Sequence, residues 1–464
     1  VLDLKNKKVT VMGLGLYKEG SGISATRFLV RQGAKVTVTD LKTEKDLEQQ
    51  IKRLGKLANK VEFVLGRHRE KDFRNVDMIV KNPGVPRTSK YLKIAGSKNI
   101  PIETDISLFF KLTNRKQIIG ITGTRGKSTT ATLLYEIISV LDKNAILGGN
   151  IARSPLAQLP KMKKGGTAVL ELSSWMLESL ESPKLSPYIS LFTNIYPDHL
   201  NTYRDIDDYA AAKENIFAHQ NLQDYVVLSR DNKYTRKMGG RVPSKRFWFS
   251  MKEFKSENGC YLRGKNIYFR IDGGEKKILN IKDIKIPGEH NVENVLAAVC
   301  TASIYGASPA VIKKVVSGFT GIADRLEPLK EIGGVKYYND TTSTTPEAGI
   351  AALRALSKNK NIVLIAGGAD KGLDFIPWIK EVKKHCKAVV LLSGTGTDRI
   401  LKLFKNKKTP LSVADSMADA VGMAKSFSGK GSIVLLSPAC ASFGLFVNEF
   451  DRGDQFKKII SKIK

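Results

Sequence analysis

The feature that most constrains this chain is a hexapeptide, Gly123-Thr124-Arg125-Gly126-Lys127-Ser128. It lies between the apolar run Gln117-Ile-Ile-Gly-Ile-Thr122 and a helix-forming stretch from Thr129 to Leu141. Glycines let successive backbone N–H groups turn inward on a phosphate, a lysine ammonium reaches the outer phosphates, and a following hydroxyl suits Mg2+. Strand, tight turn and helix in that order commit this part of the chain to an α/β layer. The loop is not a strict Walker A, since Ile121 stands five positions before Gly126. A glycine turn carrying a solvated lysine is the competing reading.

A second such unit opens the chain. Lys8-Val-Thr-Val-Met12 reads as a buried strand, and Gly13-Leu-Gly15 with Gly20-Ser-Gly22 as the turn. Ile23 to Gln32 reads as a helix stopped by Gly33, and Lys35 to Thr39 as a strand ending at Asp40. This pattern can seat a phosphate on the helix N-terminus and a ribose on the acid, although a plain tight turn has the same signature. Met78-Ile-Val80 then runs into a rigid segment, Asn82-Pro-Gly-Val-Pro86. Beyond the hexapeptide, Thr167–Leu172 and Tyr188–Thr193 are expected strands and Tyr209–Phe217 a helix. Further strands are expected at Val335–Asn339, Asn361–Ala366, Ala388–Leu392 and Ser432–Leu436. The fold class is therefore α/β in three domains. These are a Rossmann-like N-terminal domain (1–114), a central P-loop-type ATPase domain with a mostly parallel sheet (115–321), and a C-terminal Rossmann-like α/β domain (322–464).

Composition narrows the class. The 464 residues are 42% hydrophobic, which excludes a disordered chain. No apolar run approaches the ~18 residues of a membrane span. The opening Val1-Leu-Asp-Leu-Lys leads straight into a strand, so no secretory leader is expected. Cys260, Cys300, Cys386 and Cys440 lie far apart, which argues against a disulfide framework or a cysteine zinc site. These features give the expectation of a cytoplasmic protein. Lys+Arg exceed Asp+Glu by 76 to 45, a net +31. The lysines are spread along the chain rather than gathered in a stripe or interleaved with aromatics, so a solvated basic surface is expected, with no nucleic-acid partner.

Polar groups cluster where the central strands should end, the edge at which open parallel sheets collect ligands. Glu171 closes one strand beside Ser173 and Ser174, while Asn194, Asp198 and His199 follow the next. A carboxylate near a phosphate loop suits Mg2+. For His199 a hydrogen-bonded supporting role stays open beside a metal role. On local sequence alone, Lys213 is a surface lysine paired with Asp208 or Glu214.

Thr122-Gly-Thr-Arg-Gly-Lys-Ser-Thr-Thr130 resembles the ATP loop of the Mur ligase family, the ATP-dependent amide-bond ligases of peptidoglycan precursor synthesis. Similar segments recur in order. They are Gly148-Gly-Asn-Ile151, Leu170-Glu-Leu-Ser-Ser174, Thr193-Asn-Ile-Tyr-Pro-Asp-His-Leu200, Gly288-Glu-His-Asn-Val-Glu-Asn294 and Asn339-Asp-Thr-Thr-Ser-Thr-Thr-Pro-Glu347. Leu436-Ser-Pro-Ala-Cys-Ala-Ser442 and Asp451-Arg-Gly-Asp454 complete the series, and the C-terminal segment is most similar to the D-glutamate-adding members. Arg125 stands where the family often has Asn, and Thr342 where some D-glutamate-adding members have Lys.

The resemblance implies a ligase joining D-glutamate to UDP-N-acetylmuramoyl-L-alanine at the expense of ATP, with one or two Mg2+ ions, acting as a monomer without membrane insertion. The alternatives are a sibling ligase adding another amino acid and a non-catalytic nucleotide- or nucleic-acid-binding protein. The resemblance puts Gly123, Thr124, Arg125, Gly126, Lys127, Ser128 and Thr129 on the ATP phosphates, with Asn291 at the adenine, Arg325 at the phosphates and Asp340 at the ribose. Ser128, Glu171, His199 and Lys213 would serve the metal ions, and Lys213 matches a family lysine carbamylated by CO2. Lys127, Glu171, His199 and Lys213 would be the catalytic set. Gly15, Asp40, Asn82, Asn150, Ser173 and Ser174 would hold the UDP-substrate, and Thr344, Lys371, Ser442 and Phe450 the D-glutamate.

Overall fold

Aliphatic and β-branched runs punctuated by glycine turns form three sheets in the computed structural model of the chain. The structure describes residues 3–151, 153–198, 202–404 and 409–463. The first sheet contains β1 (Lys8–Met12), β2 (Lys35–Asp40), β3 (Val61–Leu65), β4 (Met78–Lys81) and β5 (Ile102–Glu103). Its order is β3-β2-β1-β4-β5, all parallel. Strand order reverses between β1 and β4, so the crevice beyond their carboxyl ends is the expected ligand position. The helix Ser21–Arg31 closes one face, burying Ile23, Ala25 and Leu29 with Val9, Val11, Val36 and Val38.

The second sheet contains β6 (Ile118–Thr122), β7 (Ile146–Gly149), β8 (Ala168–Glu171), β9 (Ile189–Phe192), β10 (Tyr225–Ser229), β11 (Lys245–Ser250), β12 (Gly259–Arg263), β13 (Asn266–Ile271) and β14 (Gly274–Asn280). Its order is β14-β13-β12-β11-β10-β9-β6-β8-β7. The pairs from β7 to β12 are parallel, and β13 and β14 add an antiparallel edge. β6, β8 and β9 are buried at every position, which is why they read as continuous apolar runs rather than as alternating ones.

The third sheet contains β15 (Glu327–Ile332), β16 (Val335–Asn339), β17 (Ile362–Gly367), β18 (Cys386–Leu392), β19 (Leu411–Ala414) and β20 (Ile433–Leu436). Its order is β15-β16-β20-β17-β18-β19, parallel except for the β15–β16 pair. The chain divides into two compact units, Val1–Asp283 with Val292–Ser317, and Ile284–Asn291 with Gly318–Lys464. The first two sheets share the first unit.

The α/β class with mostly parallel sheets agrees with the sequence reading. The helix expected from Thr129 starts at Lys127, because Gly126 takes the left-handed conformation and serves as its N-cap. The helix expected over Tyr209–Phe217 instead spans Ile206–Glu214, where the Asp205 carboxylate accepts from the Asp208 N–H at 2.8 Å and fixes the start. The β13–β14 hairpin is an addition to the expected elements. All four cysteines are free and buried. Among the described residues no helix is long and apolar enough to cross a membrane.

Candidate active site

β6 delivers the chain into a loop with no room for side chains at its two glycines. Gly123 has φ +143, and a Cβ there would lie 1.9 Å from Thr193 Oγ1. Gly126 has φ +82, and a Cβ would meet Asn294 Oδ1 at 2.1 Å. The segment after β9 pins the loop. Asn194 accepts from the Thr124 N–H on its carbonyl and from the Arg125 N–H on Oδ1, each at 2.9 Å. Thr193 Oγ1 donates to the Arg125 carbonyl at 2.7 Å. Lys127 Nζ donates to the Thr124 carbonyl at 3.0 Å, folding over the loop. No side chain caps the helix Lys127–Leu141, so its first N–H groups and the positive end of its dipole are offered to an anion.

At the end of β8, Glu171 is 2% exposed. Its Oε1 accepts from Asn150 Nδ2 at 2.9 Å. Its Oε2 is buried and has no hydrogen-bond partner among the described residues. A carboxylate oxygen left this way fits a hard cation beside the phosphate loop. Ser128, half-buried in the first turn of the helix, supplies a hydroxyl of the right type. Among the described residues no three His, Cys, Asp or Glu side chains form a metal-holding group. Ser173 caps the helix Ser174–Glu178, accepting from the Met176 N–H at 3.3 Å, and Ser174 is buried.

Lys213 is not on the surface. It is 2% exposed, its Nζ lies 3.4 Å from Thr122 Oγ1, and it sits over the Tyr209 ring at 4.8 Å. Glu214 pairs instead with Arg241, which removes the surface-pair reading. Burial holds the Lys213 amine well below its ordinary range, and nearby Lys127 acts the same way against the pull of Asp198 and Glu171. The structure thus gathers Gly123–Thr129, Asn150, Glu171 and Lys213 at one edge of the second sheet. His199 lies outside the described residues.

In the first sheet, Gly13 and Gly15 approach Asn82 closely: a Cβ at Gly13 would lie 3.0 Å from Asn82 Cβ, and one at Gly15 3.1 Å from Asn82 Nδ2. Asp40 Oδ2 accepts from the Leu14 N–H at 2.9 Å and Oδ1 from the Lys42 N–H at 3.0 Å. The acid therefore holds the glycine turn, and its oxygens are already shared with backbone donors.

The second unit carries the remaining predicted residues. Asn291 is buried and donates to the Pro287 carbonyl at 2.6 Å, while Arg325 is exposed. Asp340 is 1% exposed and accepts from Ser343 Oγ at 2.5 Å, Ser437 Oγ at 2.8 Å and the Leu326 N–H at 3.1 Å. Those bonds give it a loop-holding position; burial raises its carboxyl to about 6 despite them. Lys371 Nζ donates to Thr344 Oγ1 at 2.9 Å, which brings two predicted residues together. Ser442 is buried next to the Ala369–Ala441 bridge, and Phe450 lies in the first turn of the helix Glu449–Lys462, its N–H donating to the capping Asn448 side chain at 3.0 Å.

Comparison with known proteins adds an independent observation. The family model for the Mur ligase MurD-like N-terminal domain matches residues 7–104, the Mur ligase middle domain 121–302, and the Mur ligase glutamate ligase domain 324–440. A UDP-N-acetylmuramoylalanine–D-glutamate ligase from Roseiflexus sp. is 40% identical over 99% of both chains, and the one from Borreliella burgdorferi 38% over 99% of both. The chain belongs to the Mur ligase family. Solved Mur ligase-type structures of lower identity share the fold. A UDP-N-acetylmuramate–alanine ligase from Thermotoga maritima is 19% identical with a TM-score of 0.63, covering 99% of this chain and 100% of that one. A pseudomurein peptide ligase type C from Methanothermus fervidus is 18% identical with a TM-score of 0.57, at the same coverage.

Sequence reasoning did not single out Thr122, Thr193, Tyr209 or Asn294, yet in this Mur ligase they shape the loop and the Lys213 cage. Thr122 adjoins the loop, but Thr193, Tyr209 and Asn294 lie in segments far from it in sequence, so only the fold brings them to it. In the sequence Arg452 stands out only as part of the Asp451-Arg-Gly-Asp454 segment. It is fully buried and bonds Thr341 and Cys440, tying together the segments that lead to Thr344 and Ser442.

Proposed function

We propose that this chain is an ATP-dependent ligase that joins D-glutamate to UDP-N-acetylmuramoyl-L-alanine, releasing ADP and phosphate, as a cytoplasmic monomer in peptidoglycan precursor synthesis. The observation that carries the reading is the end-to-end match at 40% identity to a relative named for that reaction. Residues 1–114 take the uridine nucleotide, 115–321 the ATP, and 322–464 the amino acid.

A carboxylate does not condense with an amine unaided, because its oxygen is a poor leaving group. Transfer of the ATP γ-phosphoryl to the alanyl carboxylate gives an acyl phosphate. The D-glutamate amine then adds to that carbonyl and phosphate departs. Such transfer asks mainly for positioning and charge neutralisation. The loop amides of Gly123–Thr129 and the Lys127 ammonium cradle the phosphates. Ser128 and Glu171 would hold a Mg2+ ion, which when bound neutralises phosphate charge, and His199 and a carbamylated Lys213 would serve a second. Asn150, Ser173 and Ser174 orient the UDP-substrate beside this edge, with Gly15, Asn82 and the Asp40-held turn at its nucleotide. Asn291 and Arg325 serve ATP, Asp340 acts through the loop it fixes, and Lys371, Thr344, Ser442 and Phe450 bind D-glutamate. A lysine ammonium with two hydroxyls suits a small dianion.

The test is phosphate release from ATP with UDP-N-acetylmuramoyl-L-alanine and each candidate amino acid in turn. D-Glutamate alone should support turnover, and 18O from the alanyl carboxylate should appear in the released phosphate. Turnover only with L-lysine or diaminopimelate, or no 18O transfer, overturns the assignment.

A further inference from the structure

Glu178 ends the helix Ser174–Glu178 with its side chain 7% exposed. Its Oε2 takes Arg87 Nε at 2.6 Å and its Oε1 the Tyr203 hydroxyl at 2.7 Å. Arg87 directly follows the Asn82-Pro-Gly-Val-Pro86 segment, and Lys81, on the other side of that segment, is half-buried, donates from Nζ to the Val85 carbonyl at 3.5 Å and is attracted by the Glu178 charge. One buried carboxylate from the middle of the chain thus pairs with the cation that follows the Asn82 loop and attracts the one that precedes it.

The other oxygen leads toward the phosphate loop. The Tyr203 ring meets the Tyr209 ring at 5.3 Å, the Tyr209 hydroxyl lies 3.5 Å from Thr124 Oγ1, and Lys213 Nζ stands over the Tyr209 ring. Tyr203 and Tyr209 are packed in the core, whereas on the side of the Asn82 loop Lys81, Arg87, Thr104, Trp175 and Glu178 line a cavity of about 370 Å³ that the Glu178–Arg87 pair borders. A buried carboxylate with donors on both oxygens resists displacement, because losing Arg87 leaves its charge unpaired and losing Tyr203 leaves a buried oxygen without its donor.

We propose that Glu178 is a positioning residue: it fixes the Asn82 loop against the Tyr203–Tyr209–Lys213 row, so that seating the uridine-nucleotide substrate orders the phosphate-transfer edge. This rests on the substrate assignment made above. Because both ligands favour the same ordered arrangement of this link, the one bound first leaves less ordering for the second, and each should tighten the other.

The test measures binding of UDP-N-acetylmuramoyl-L-alanine and a non-hydrolysable ATP analogue, separately and together, with steady-state kinetics. Glu178→Gln keeps the shape and loses the charge on Arg87, and Arg87→Gln breaks the same pair from its exposed end, where folding is least at risk. Both variants should weaken binding of the UDP-substrate about tenfold, leave binding of the ATP analogue alone within about twofold, and erase the mutual tightening, so that each ligand loses affinity by the same further factor when the other is present. Glu178→Asp should recover part of the coupling. Folded variants that keep wild-type affinities and wild-type coupling overturn the proposal, as does a fall in kcat alone with the coupling intact. A wild-type protein that does not bind the UDP-substrate overturns the functional assignment instead, so the two failures are distinguishable.

Discussion

Lys213 Nζ lies 3.4 Å from the hydroxyl of Thr122, the last residue of the strand that launches the phosphate loop. Burial holds this amine well below its ordinary range. CO2 adds only to a neutral amine, so a depressed pKa enlarges the reactive fraction near neutrality. Lys213→Ala is expected to lower turnover by ~10²–10³-fold, with partial recovery in small carboxylates such as acetate. A carbamate signal should appear by 13C NMR after incubation with labelled bicarbonate, and should fade as pH is lowered through the Lys213 pKa. Wild-type turnover in the Ala variant would remove Lys213 from the mechanism.

The glycine at the head of the helix gives a second outcome. Gly126→Ala forces a side chain into a left-handed conformation and against Asn294 Oδ1. A loop strained in this way costs on the order of 1–3 kcal/mol locally. ATP-analogue affinity should fall at least about tenfold, while the UDP-substrate still binds in the absence of nucleotide. Calorimetric titration with each ligand checks this. Equal loss for both ligands would point to general unfolding.

Asp340 makes a pH-dependent contribution to stability. Its carboxyl is raised from 3.8 to about 6 by burial. Between those values the folded chain holds a proton that the unfolded chain releases, so this group's contribution is full below about pH 4 and is lost as pH rises through about 6. A displacement of about two pKa units corresponds to about 3 kcal/mol. The advantage of wild type over Asp340→Asn should therefore shrink by roughly that amount from pH 4 to pH 6.5 and stay level above, as read by hydrogen exchange at β16 amides. A difference that is flat across the whole range would contradict the assignment.

Much of this architecture is legible in the sequence because parallel strands buried on both faces leave long apolar runs. Ile362-Val-Leu-Ile-Ala-Gly367, buried throughout, is an instance. The phosphate loop is legible for a related reason: Gly123 and Gly126 are there because no side chain fits. The β13–β14 hairpin left a weaker trace. Its Asp272-Gly273 turn has φ of 48 and 81, the paired positive values of a type I′ turn, but the strand after it opens with Glu275, Lys276 and Lys277, which blur the alternation. Lys213 shows where local sequence fails. Nothing within four residues on its helix indicates that it faces Thr122, 91 positions away, and a surface pairing with Asp208 or Glu214 reads equally well. Asp40 shows the converse, a residue whose type suggests a ligand contact but whose oxygens the fold assigns to the Leu14 and Lys42 amides.

Arg452 offers the sharpest test of how the second unit shapes its site. It is 0% exposed, donates from Nε to Thr341 Oγ1 at 3.0 Å and from Nη2 to the Thr341 carbonyl at 2.8 Å, and reaches the Cys440 carbonyl at 3.3 Å. These bonds hold the Thr341 and Cys440 segments at a fixed spacing, and Thr344 and Ser442 follow within a few residues. Arg452→Met fills most of the same volume but leaves buried carbonyls without donors, at a cost of about 1–3 kcal/mol for each such group. The denaturation midpoint should fall accordingly. In the fraction that stays folded, KM for D-glutamate should rise about tenfold while KM for the UDP-substrate is unchanged. Arg452→Lys keeps a cation but cannot reproduce the planar fork, so it should restore stability in part and KM for D-glutamate hardly at all. If Arg452→Lys instead matched wild type in both, the arginine would be serving only as a buried charge, and the spacing of the two segments would have another origin.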